Sequence, residues 1–321
     1  MKRILFALAL VCAATTASAQ PASYPTKPIR LVVGFAPGGA ADSVARAMSD
    51  AFGKALGQPV IVENRPGAGS STAAELVAKA APDGYTLLIA SPASISVNPS
   101  LNPSLGYTAR DLQPITQVTT SPLVIAVNAE TGIKSVPELI AAAKAAPGKL
   151  NYSTSGNGSA PHLAMSLFNQ LAGTQMTHVP YKGGAPAIQA VMAGETQVTF
   201  GTSPSVLPQS KSGRLRVLAV STRERSPLVP EYPGMREAGL PAYNLEFWYG
   251  MFAPAGTPPA VVKKVFDATI AAMQQPNVKA VLAAEGTEVS LSASPEKFAS
   301  WLVDDGKFWV DLVKTANVKI E

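Results

Sequence analysis

Cysteine is almost absent from this chain, since Cys12 is the only one among 321 residues. It lies in an apolar run near the amino terminus, so the rest of the chain has no thiol, which excludes disulfide bonds and thiol chemistry there. The preceding Ala9-Leu10-Val11 lacks the leucine and small-residue order of a lipoprotein anchor. The fold must therefore be stabilised by burial, and 47% apolar residues are enough for that.

Long apolar runs are also missing, apart from a short one over residues 4–13. It follows the basic start Met1-Lys2-Arg3, and Ala17-Ser18-Ala19 supplies the small residues that signal peptidase cleaves. We predict that residues 1–19 are a cleaved secretory signal peptide. No later segment approaches the roughly 20 uninterrupted apolar residues of a membrane helix. We therefore expect a soluble, exported protein that begins near Gln20.

Excess charge is small. The formal net charge is +5, and loss of Lys2 and Arg3 with the signal peptide lowers it by two, to +3. The basic residues are scattered, and the one cluster has no interleaved aromatic residues that would stack on bases. That cluster is Arg214, Arg216, Arg223 and Arg225. We expect no nucleic-acid partner.

Signatures of nucleotide and metal chemistry are missing as well. The loop that starts at Gly34 has GxxxxG spacing, but Ala40 and Ala41 stand where a P-loop needs lysine and a hydroxyl residue. The dinucleotide pattern GxGxxG does not occur. The two histidines, His162 and His178, are far apart in sequence and have no cysteines beside them, which disfavours zinc. We expect no cofactor and no metal, and we interpret His178, in an apolar strand, as structural.

Three glycine-rich turns are present, each between a predicted strand and a predicted helix. They cover residues 36–42, 155–159 and 181–184. Such a turn exposes backbone N–H groups at the positive end of a helix, which suits an anion. Asp42 is a candidate N-cap of the first helix, predicted over residues 43–56. Three turns of this kind predict a clamp for a carboxylate or a phosphate.

Strand-like and helix-like patterns alternate along the chain, which predicts parallel sheets covered by helices and hence an α/β fold. The length exceeds what one core usually organises, so two domains are expected. We predict a first domain of residues 20–122 plus 250–321 and an inserted second domain of residues 123–249. Two crossing segments, near residues 120–127 and 247–252, would join them.

Some of these residues allow a second interpretation. Ser159 and His162 are similar to a nucleophile with its base, but the segment is not GxSxG and no nearby acid would orient the histidine. Ligand hydrogen bonding, helix capping by Ser159, or packing of His162 is favoured instead. Lys182 is either an anion contact or a solvated lysine. We interpret Arg65 as structural, because Glu63 offers it a partner.

Motifs of this kind extend in order over nearly the whole chain. The opening one is Phe35-Ala36-Pro37-Gly38-Gly39-x-x-Asp42, and the others cover residues 24–30, 63–69, 81–88, 156–163, 178–183, 237–241 and 253–258. Together they resemble the extracytoplasmic solute receptors of tripartite tricarboxylate transporters, the Bordetella uptake gene family.

The resemblance implies a periplasmic binding protein of the two-domain, type II or Venus flytrap kind, in which each domain is a mostly parallel sheet flanked by helices. In that family the loops matching residues 35–42 and 181–184 act as pincers that hold a ligand carboxylate through backbone groups and bridging water. The ligand-binding residues implied here are Phe35, Ala36, Pro37, Gly38, Gly39, Ala40, Ala41, Asp42, Ser91, Ser94, Ser155, Gly158, Ser159, His162, Tyr181, Lys182, Gly183, Gly184, Thr202 and Ser203.

The implied function is that of a non-enzymatic, monomeric receptor in the periplasm that delivers a small organic carboxylate to membrane permease subunits. Many members carry an acidic residue where this chain has Gly201-Thr202-Ser203, so a ligand without an ammonium group is favoured over an amino acid. Ser70-Ser71 replaces further glycine after Gly69, which weakens the expectation of a ligand contact there. Two alternatives stay open: a receptor that docks on a sensor kinase and, from another class, a periplasmic hydrolase.

Overall fold

The computed structural model describes residues 24–102 and 104–315, whose ten strands form one mixed sheet. The predicted signal peptide, residues 1–19, lies outside the described residues. The strand order is β2-β1-β3-β9-β4-β7-β5-β6, and β8 and β10 also pair with β4. The strands are β1 (Ile29–Val33), β2 (Val60–Asn64), β3 (Thr86–Ala90), β4 (Leu112–Asn128), β5 (Asn151–Thr154), β6 (Thr177–Pro180), β7 (Val198–Thr202), β8 (Leu215–Val220), β9 (Glu246–Pro254) and β10 (Glu288–Val289).

Helices follow most of the strands and cover the sheet. They are α1 (Ala40–Leu56), α2 (Ser71–Ala78), α3 (Asn98–Leu101), α4 (Val136–Ala145), α5 (Ala160–Ala172), α6 (Gly184–Met192), α7 (Ser203–Ser210), α8 (Pro259–Met273), α9 (Pro276–Ala284) and α10 (Pro295–Thr315), and a π-helical turn, Ala93–Val97, precedes α3. Within residues 24–102 and 104–315, none of these helices combines the length and the apolar character that a bilayer crossing requires.

The long strand β4 links two parts of the sheet. From Leu112 to Pro122 it pairs antiparallel with β9, and from Leu123 onward it pairs antiparallel with β7 and β8. We call the part built on β1, β2, β3 and β10 the first lobe, and the part built on β5 to β8 the second lobe. The sequence pattern predicts a strand over residues 123–127 alone, which is too short. The earlier part was missed because polar residues such as Thr116 and Thr119 are buried in it.

The outer strands of each lobe are parallel. In the first lobe β1 lies between β2 and β3, and in the second lobe β5 lies between β6 and β7. The carboxyl ends of parallel strands meet at one edge of a sheet, where the following loops gather. In this molecule the loops after β1, β2, β5, β6 and β7 border the same cleft between the lobes.

Helix α1 shows how the first loop is anchored to the core. Val44, Met48 and Phe52 are fully buried on one face of the helix, which packs against α8. The helix ends at Gly57, whose φ of 76° gives the left-handed cap that glycine favours. It begins at Ala40, three residues before the predicted start, because alanine is a strong helix former and the tight turn ends at Gly39.

Candidate ligand-binding cleft

Two glycine-rich loops from opposite lobes touch each other across the cleft. The Ala36 N–H donates a hydrogen bond to the Lys182 carbonyl oxygen, at an N···O distance of 3.1 Å. Gly183 lies against the same residue, and a Cβ placed on it would be 3.0 Å from the Ala36 nitrogen. Its φ of 143° is also one that side chains rarely adopt. The close approach of the two loops therefore depends on glycine at position 183.

The loop of the first lobe is held by a buried carboxylate. Asp42 accepts hydrogen bonds from the Gly38 N–H and from Arg46 Nε, both at 2.9 Å, and from Asn64 Nδ2 at 2.9 Å. Asn64 also donates to the Phe35 carbonyl oxygen. Burial alone would raise the pKa of Asp42, but these hydrogen bonds outweigh it and hold the pKa below its usual range. The carboxylate is therefore ionised at neutral pH and fixes the loop.

The predicted N-cap role of Asp42 is wrong. Gly39 occupies the N-cap position, and Asp42 lies inside the first turn of α1. Its side chain reaches back past the N-cap to accept a hydrogen bond from the N–H of Gly38. The carboxylate therefore shapes the loop instead of ending the helix.

The loop after β5 is held differently, through backbone groups and a neutral ring. Ser159 occupies the N-cap position of α5, but its hydroxyl donates to the Gly156 carbonyl oxygen at 2.7 Å and makes no capping hydrogen bond. The Gly158 N–H donates to His162 Nδ1 at 3.2 Å. Serine and histidine thus have separate partners, and the arrangement lacks the hydrogen bond that would activate a nucleophile. Ser159 thus occupies the predicted cap position of the helix, but without a side-chain capping hydrogen bond.

Both histidines lie in one stack of rings behind this loop. The ring centroids of His162 and His178 are 3.8 Å apart. The His178 centroid is also 5.0 Å from that of Tyr152, on the neighbouring strand β5. Thr154 Oγ1 and His178 Nε2 are 2.6 Å apart. Burial, and then the neighbouring His178, lower the pKa of His162 to about 3, while burial lowers the pKa of His178 to about 4. Both rings are neutral at neutral pH.

The cleft contains a small inner cavity of about 20 Å³. This volume is enough for about one ordered water molecule. Seven of the residues predicted from sequence line it, and they come from both lobes: Phe35, Gly39, Ala40, Ala41, Ser155, Gly184 and Thr202. The resemblance also implies that residues 153–159 and 201–203 help to build the pocket, and Thr154 and Gly201 of these segments line the cavity. The remaining lining residues were missed by the sequence reasoning: Pro161, Ala187, Ile188, Thr199, Phe200, Ser205 and Tyr249.

A larger outer cavity, of about 260 Å³, opens beside it and shares Phe35 and Ser155 with the inner one. Tyr181 and Lys182 are the other predicted residues in its lining. Among the described residues around this cavity, Lys182 is the only one with a charged side chain. Gly156 and Asn157, which also line it, lie within the predicted glycine-rich turn of residues 155–159. The sequence reasoning missed the rest of the wall, which consists of Gly34, Gly67, Ala68, Gly69, Ser70, Ser71, Asn98, Asn102, Leu105 and Pro180.

The other predicted residues lie around these cavities without lining them. Ala36 and Gly183 form the contact between the loops, and Pro37 is exposed at the loop tip. Gly38 and Asp42 border a separate groove on the rim. Residues Gly158, Ser159 and His162 support the second loop from behind. The predicted serines Ser91, Ser94 and Ser203 are buried in other contacts. Ser94 Oγ donates a hydrogen bond to the Ser91 carbonyl oxygen, and Ser203 Oγ donates one to the Pro122 carbonyl oxygen.

Arg65 was interpreted as structural, and its contacts agree with that interpretation. Its guanidinium pairs with Glu63, which also pairs with Arg30 on the neighbouring strand. No group of three or more His, Cys, Asp or Glu side chains close enough for a metal ion occurs within residues 24–102 and 104–315.

A cleft between two α/β lobes, joined by long paired strands and bordered by glycine-rich loops, is the architecture of a two-domain periplasmic binding protein of type II. Comparisons with known proteins give the family. The family model described as tripartite tricarboxylate transporter family receptor matches residues 44–318. The chain belongs to this family.

Several relatives resemble the chain over nearly its full length. Protein BugT of Bordetella pertussis is 35% identical over 326 residues, covering 100% of this chain and 99% of its own. A solved structure described as a periplasmic transporter has 38% identity and a TM-score of 0.88, covering 93% of this chain and 100% of its own.

Two further solved structures contain ligands. R. palustris Rpa4515 with adipate is 31% identical with a TM-score of 0.88, covering 92% of this chain and 99% of its own. MatC from Rhodopseudomonas palustris with bound malate is 32% identical with a TM-score of 0.85, covering 90% of this chain and 100% of its own. Both of these ligands are carboxylates.

Proposed function

We propose that this chain is an extracytoplasmic solute receptor that binds a small organic carboxylate between its lobes and delivers it to the membrane permease of a tripartite tricarboxylate transporter. It acts without catalysis, as a monomer in the periplasm, after cleavage of residues 1–19. The open form takes up the ligand, the lobes close around it, and the permease receives the closed complex.

The contact between Ala36 and the Lys182 to Gly183 segment is the observation that carries this proposal. It brings two glycine-rich loops together from opposite lobes, directly beside cavities that both lobes line. A ligand can favour closure only through contacts that exist in the closed state and not in the open one. A ligand in this cleft touches both lobes at once and satisfies that condition.

The charges of the cleft favour an anionic ligand without an ammonium group. Among the described residues that line the two cavities, none is an aspartate or a glutamate, and Lys182 supplies a positive charge. The start of α1 adds the positive end of a helix dipole at Gly39 and Ala40. A carboxylate fits these groups, whereas the ammonium of an amino acid would have no anionic partner in the lining. Adipate and malate, the ligands of two relatives, have this charge pattern.

The pairing of β4 supports the proposed domain division. The strand changes its partner from β9 to β7 and β8 between Pro122 and Leu123. We place the domain boundaries there and between residues 249 and 250, so that residues 20–122 and 250–321 form the first domain and residues 123–249 the second. Bending of β4 and β9 near these points would open the cleft.

Thermal unfolding against a panel of carboxylates tests the proposed function. The panel comprises adipate, malate, citrate, succinate, terephthalate, nicotinate, aspartate and glutamate. A ligand at 1,000 times its dissociation constant adds about 4 kcal/mol of stability, enough to raise the midpoint by several degrees. We expect a selective rise with one or more non-amino carboxylates. If ligand-free protein, unfolded and refolded before the assay, shows no rise with any member, the proposal is contradicted.

A further inference from the structure

A groove on the rim of the cleft is lined by both lobes, and we call it the rim groove. It has a volume of about 550 Å³. Helices α1 and α9 form its first-lobe wall, and helices α6 and α7 form its second-lobe wall. Gly38 and Ala185 face each other across the lobes, since a Cβ placed on Gly38 would lie 3.7 Å from the Ala185 Cβ. The groove has this shape only while the lobes are together, because opening separates its two walls.

This dependence on closure makes the rim groove suitable for a partner that must distinguish loaded from empty receptor. A surface that belongs to one lobe is the same in the open and the closed form, so it cannot support that distinction. A partner that binds a surface built by both lobes favours the closed form. By linkage, the bound ligand then strengthens the partner's binding by the same factor by which the partner strengthens ligand binding.

One carboxylate in the rim groove has no cationic partner. Glu285 follows α9 directly, is half-buried, and accepts a hydrogen bond from Ser43 Oγ at 2.6 Å. Burial raises the pKa of Glu285, and only the hydrogen bond from Ser43 opposes this, since no cationic side chain of the described residues does. The helix dipole is negative at the carboxyl end of α9, which disfavours the ionised carboxylate further. A cation brought by a partner would relieve both effects.

The remaining lining defines the rest of the occupant. The other two charged residues, Asp42 and Arg46, pair with each other, so Glu285 leaves the groove with a net negative charge. Val281 lies one helical turn before Glu285 on the same face of α9, and it is 47% exposed. Pro204 and Pro208 add apolar surface on the second-lobe wall. These groups suit a segment in which a basic side chain is flanked by apolar residues.

We propose that the rim groove is the docking surface for the membrane permease, which inserts a periplasmic segment with a lysine or arginine flanked by apolar residues. The basic side chain pairs with Glu285, and its apolar neighbours pack on Val281 and on the prolines of α7. The inference rests on the proposed function, because it takes the permease as the partner. Glu285 and Val281 line neither ligand cavity, so docking and ligand binding can be altered separately.

Receptor-dependent uptake tests this docking surface. Spheroplasts of the native bacterium with this gene deleted are given purified mature receptor, together with the radiolabelled panel carboxylate that raises its unfolding midpoint most. For Glu285→Lys, we expect the receptor concentration that gives half-maximal uptake to rise about tenfold or more, because the charge is reversed. Calorimetry should show a ligand affinity within about twofold of the unaltered value. An unchanged half-maximal concentration would overturn the inference and leave the proposed function intact. No uptake with unaltered receptor that binds the ligand would contradict the proposed delivery to a permease.

Glu288→Lys is the matched control, because Glu288 is an exposed carboxylate close by in the chain that does not line the rim groove. We expect normal uptake with it. Val281→Lys is a second variant, used also if Glu285→Lys does not fold, because its lysine lies one turn from Glu285 and neutralises that carboxylate from within the chain. It should raise the half-maximal concentration as well, and an unchanged value would overturn the inference. Sedimentation velocity adds one outcome: a dimer of unaltered receptor that Glu285→Lys dissociates would assign the groove to a second copy of the chain and overturn the proposal.

Discussion

The loop after β1 and the loop after β5 border the same cleft but are held in shape by opposite kinds of chemistry. In the first lobe an ionised carboxylate, Asp42, collects hydrogen bonds from the loop, from Arg46 and from Asn64. In the second lobe a neutral ring, His162, accepts a single backbone hydrogen bond and is stacked on His178. An ionised carboxylate holds the loop on one side of the cleft, and a buried neutral ring holds the loop on the other side. The stability of the two loops should therefore respond differently to mutation, acid and salt.

The largest effect is expected where the two lobes meet. Gly183→Val places a branched side chain against the Ala36 nitrogen, where even a Cβ would be only 3.0 Å away. We expect the affinity for carboxylate to fall at least 100-fold, which corresponds to about 2.7 kcal/mol. Calorimetric titration measures this loss. Gly213→Val is the control, because its φ is also positive, at 76°, but nothing lies within 4 Å of the added Cβ. Retained affinity in folded Gly183→Val would mean that the lobes need not meet there.

Removal of the carboxylate of the first loop comes next. Asp42→Ala leaves the Gly38 N–H without its acceptor and Asn64 Nδ2 without one of its two acceptors. We expect a loss of about 2 kcal/mol in the free energy of unfolding. Asp50→Ala is the control on the same helix, since its ion pair with Lys54 is exposed and should contribute less than about 1 kcal/mol. Urea titration of both variants gives the comparison. Equal losses would show that Asp42 is only a surface charge.

Much of the fold was readable from the sequence because its elements are local. The alternation of apolar strands and amphipathic helices predicted the α/β architecture, and the glycine-rich turns marked the loops at the cleft. The role of Asp42 could not be read in this way, because its partner Asn64 comes from the neighbouring strand, 22 residues away. The same holds for His162 and His178, which meet only because β5 and β6 pair in a register that sets Tyr152 beside His178.

The cavity walls were the least predictable part of the site. Thr199, Phe200 and Tyr249 look like ordinary buried strand residues, and whether they face a cavity depends on how β7 and β9 pair. Ser70 and Asn98 gave a different signal, because a polar side chain in a buried segment needs a partner. Ser70 Oγ and Asn98 Oδ1 have no hydrogen-bond partner within the described part of the chain, and this could be recognised only when the surrounding groups had been placed in space.

Acid should weaken the second loop selectively. The folded-state pKa values of His162 and His178, about 3 and about 4, lie below the unfolded value of about 6.5. The unfolded chain therefore takes up protons first, and the free energy of unfolding falls as the pH drops below 6.5. The slope reaches about 1.4 kcal/mol per pH unit for each histidine.

His162→Asn serves as the comparison in this experiment, because an amide oxygen can accept the Gly158 N–H without titrating. Urea titrations between pH 7 and pH 4.5 should give a smaller loss for the variant than for the unaltered protein. Burial raises the pKa of Asp305 to about 6. The effect of Asp305 on the free energy of unfolding has the opposite sign to that of the histidines, because its protonation stabilises the folded state as the pH falls through 6. Asp305 is present in both proteins, so the difference reports on His162. Identical pH profiles would contradict the account of this loop.

The smallest effect is expected from Arg46. Its ion pair with Asp42 is half exposed on the arginine side, so Arg46→Ala should cost less than about 1 kcal/mol. The loss should shrink further in 1 M salt, where exposed charges are screened. Asp42 keeps its hydrogen bonds from Gly38 and Asn64 in this variant. A loss as large as that of Asp42→Ala would show that the ion pair, and not the buried carboxylate, holds the first loop.

Closure of the two lobes around a carboxylate is the central claim, and a distance across the cleft tests it most directly. With its predicted signal peptide removed, the chain has no cysteine, so Lys54→Cys in the first lobe and Lys211→Cys in the second can carry two spin labels without further changes. Double electron–electron resonance then gives the label-to-label distance. The account predicts a broad or longer distribution without ligand and a single, shorter distance with a saturating carboxylate. The same distribution with and without a ligand that calorimetry shows to be bound would contradict it.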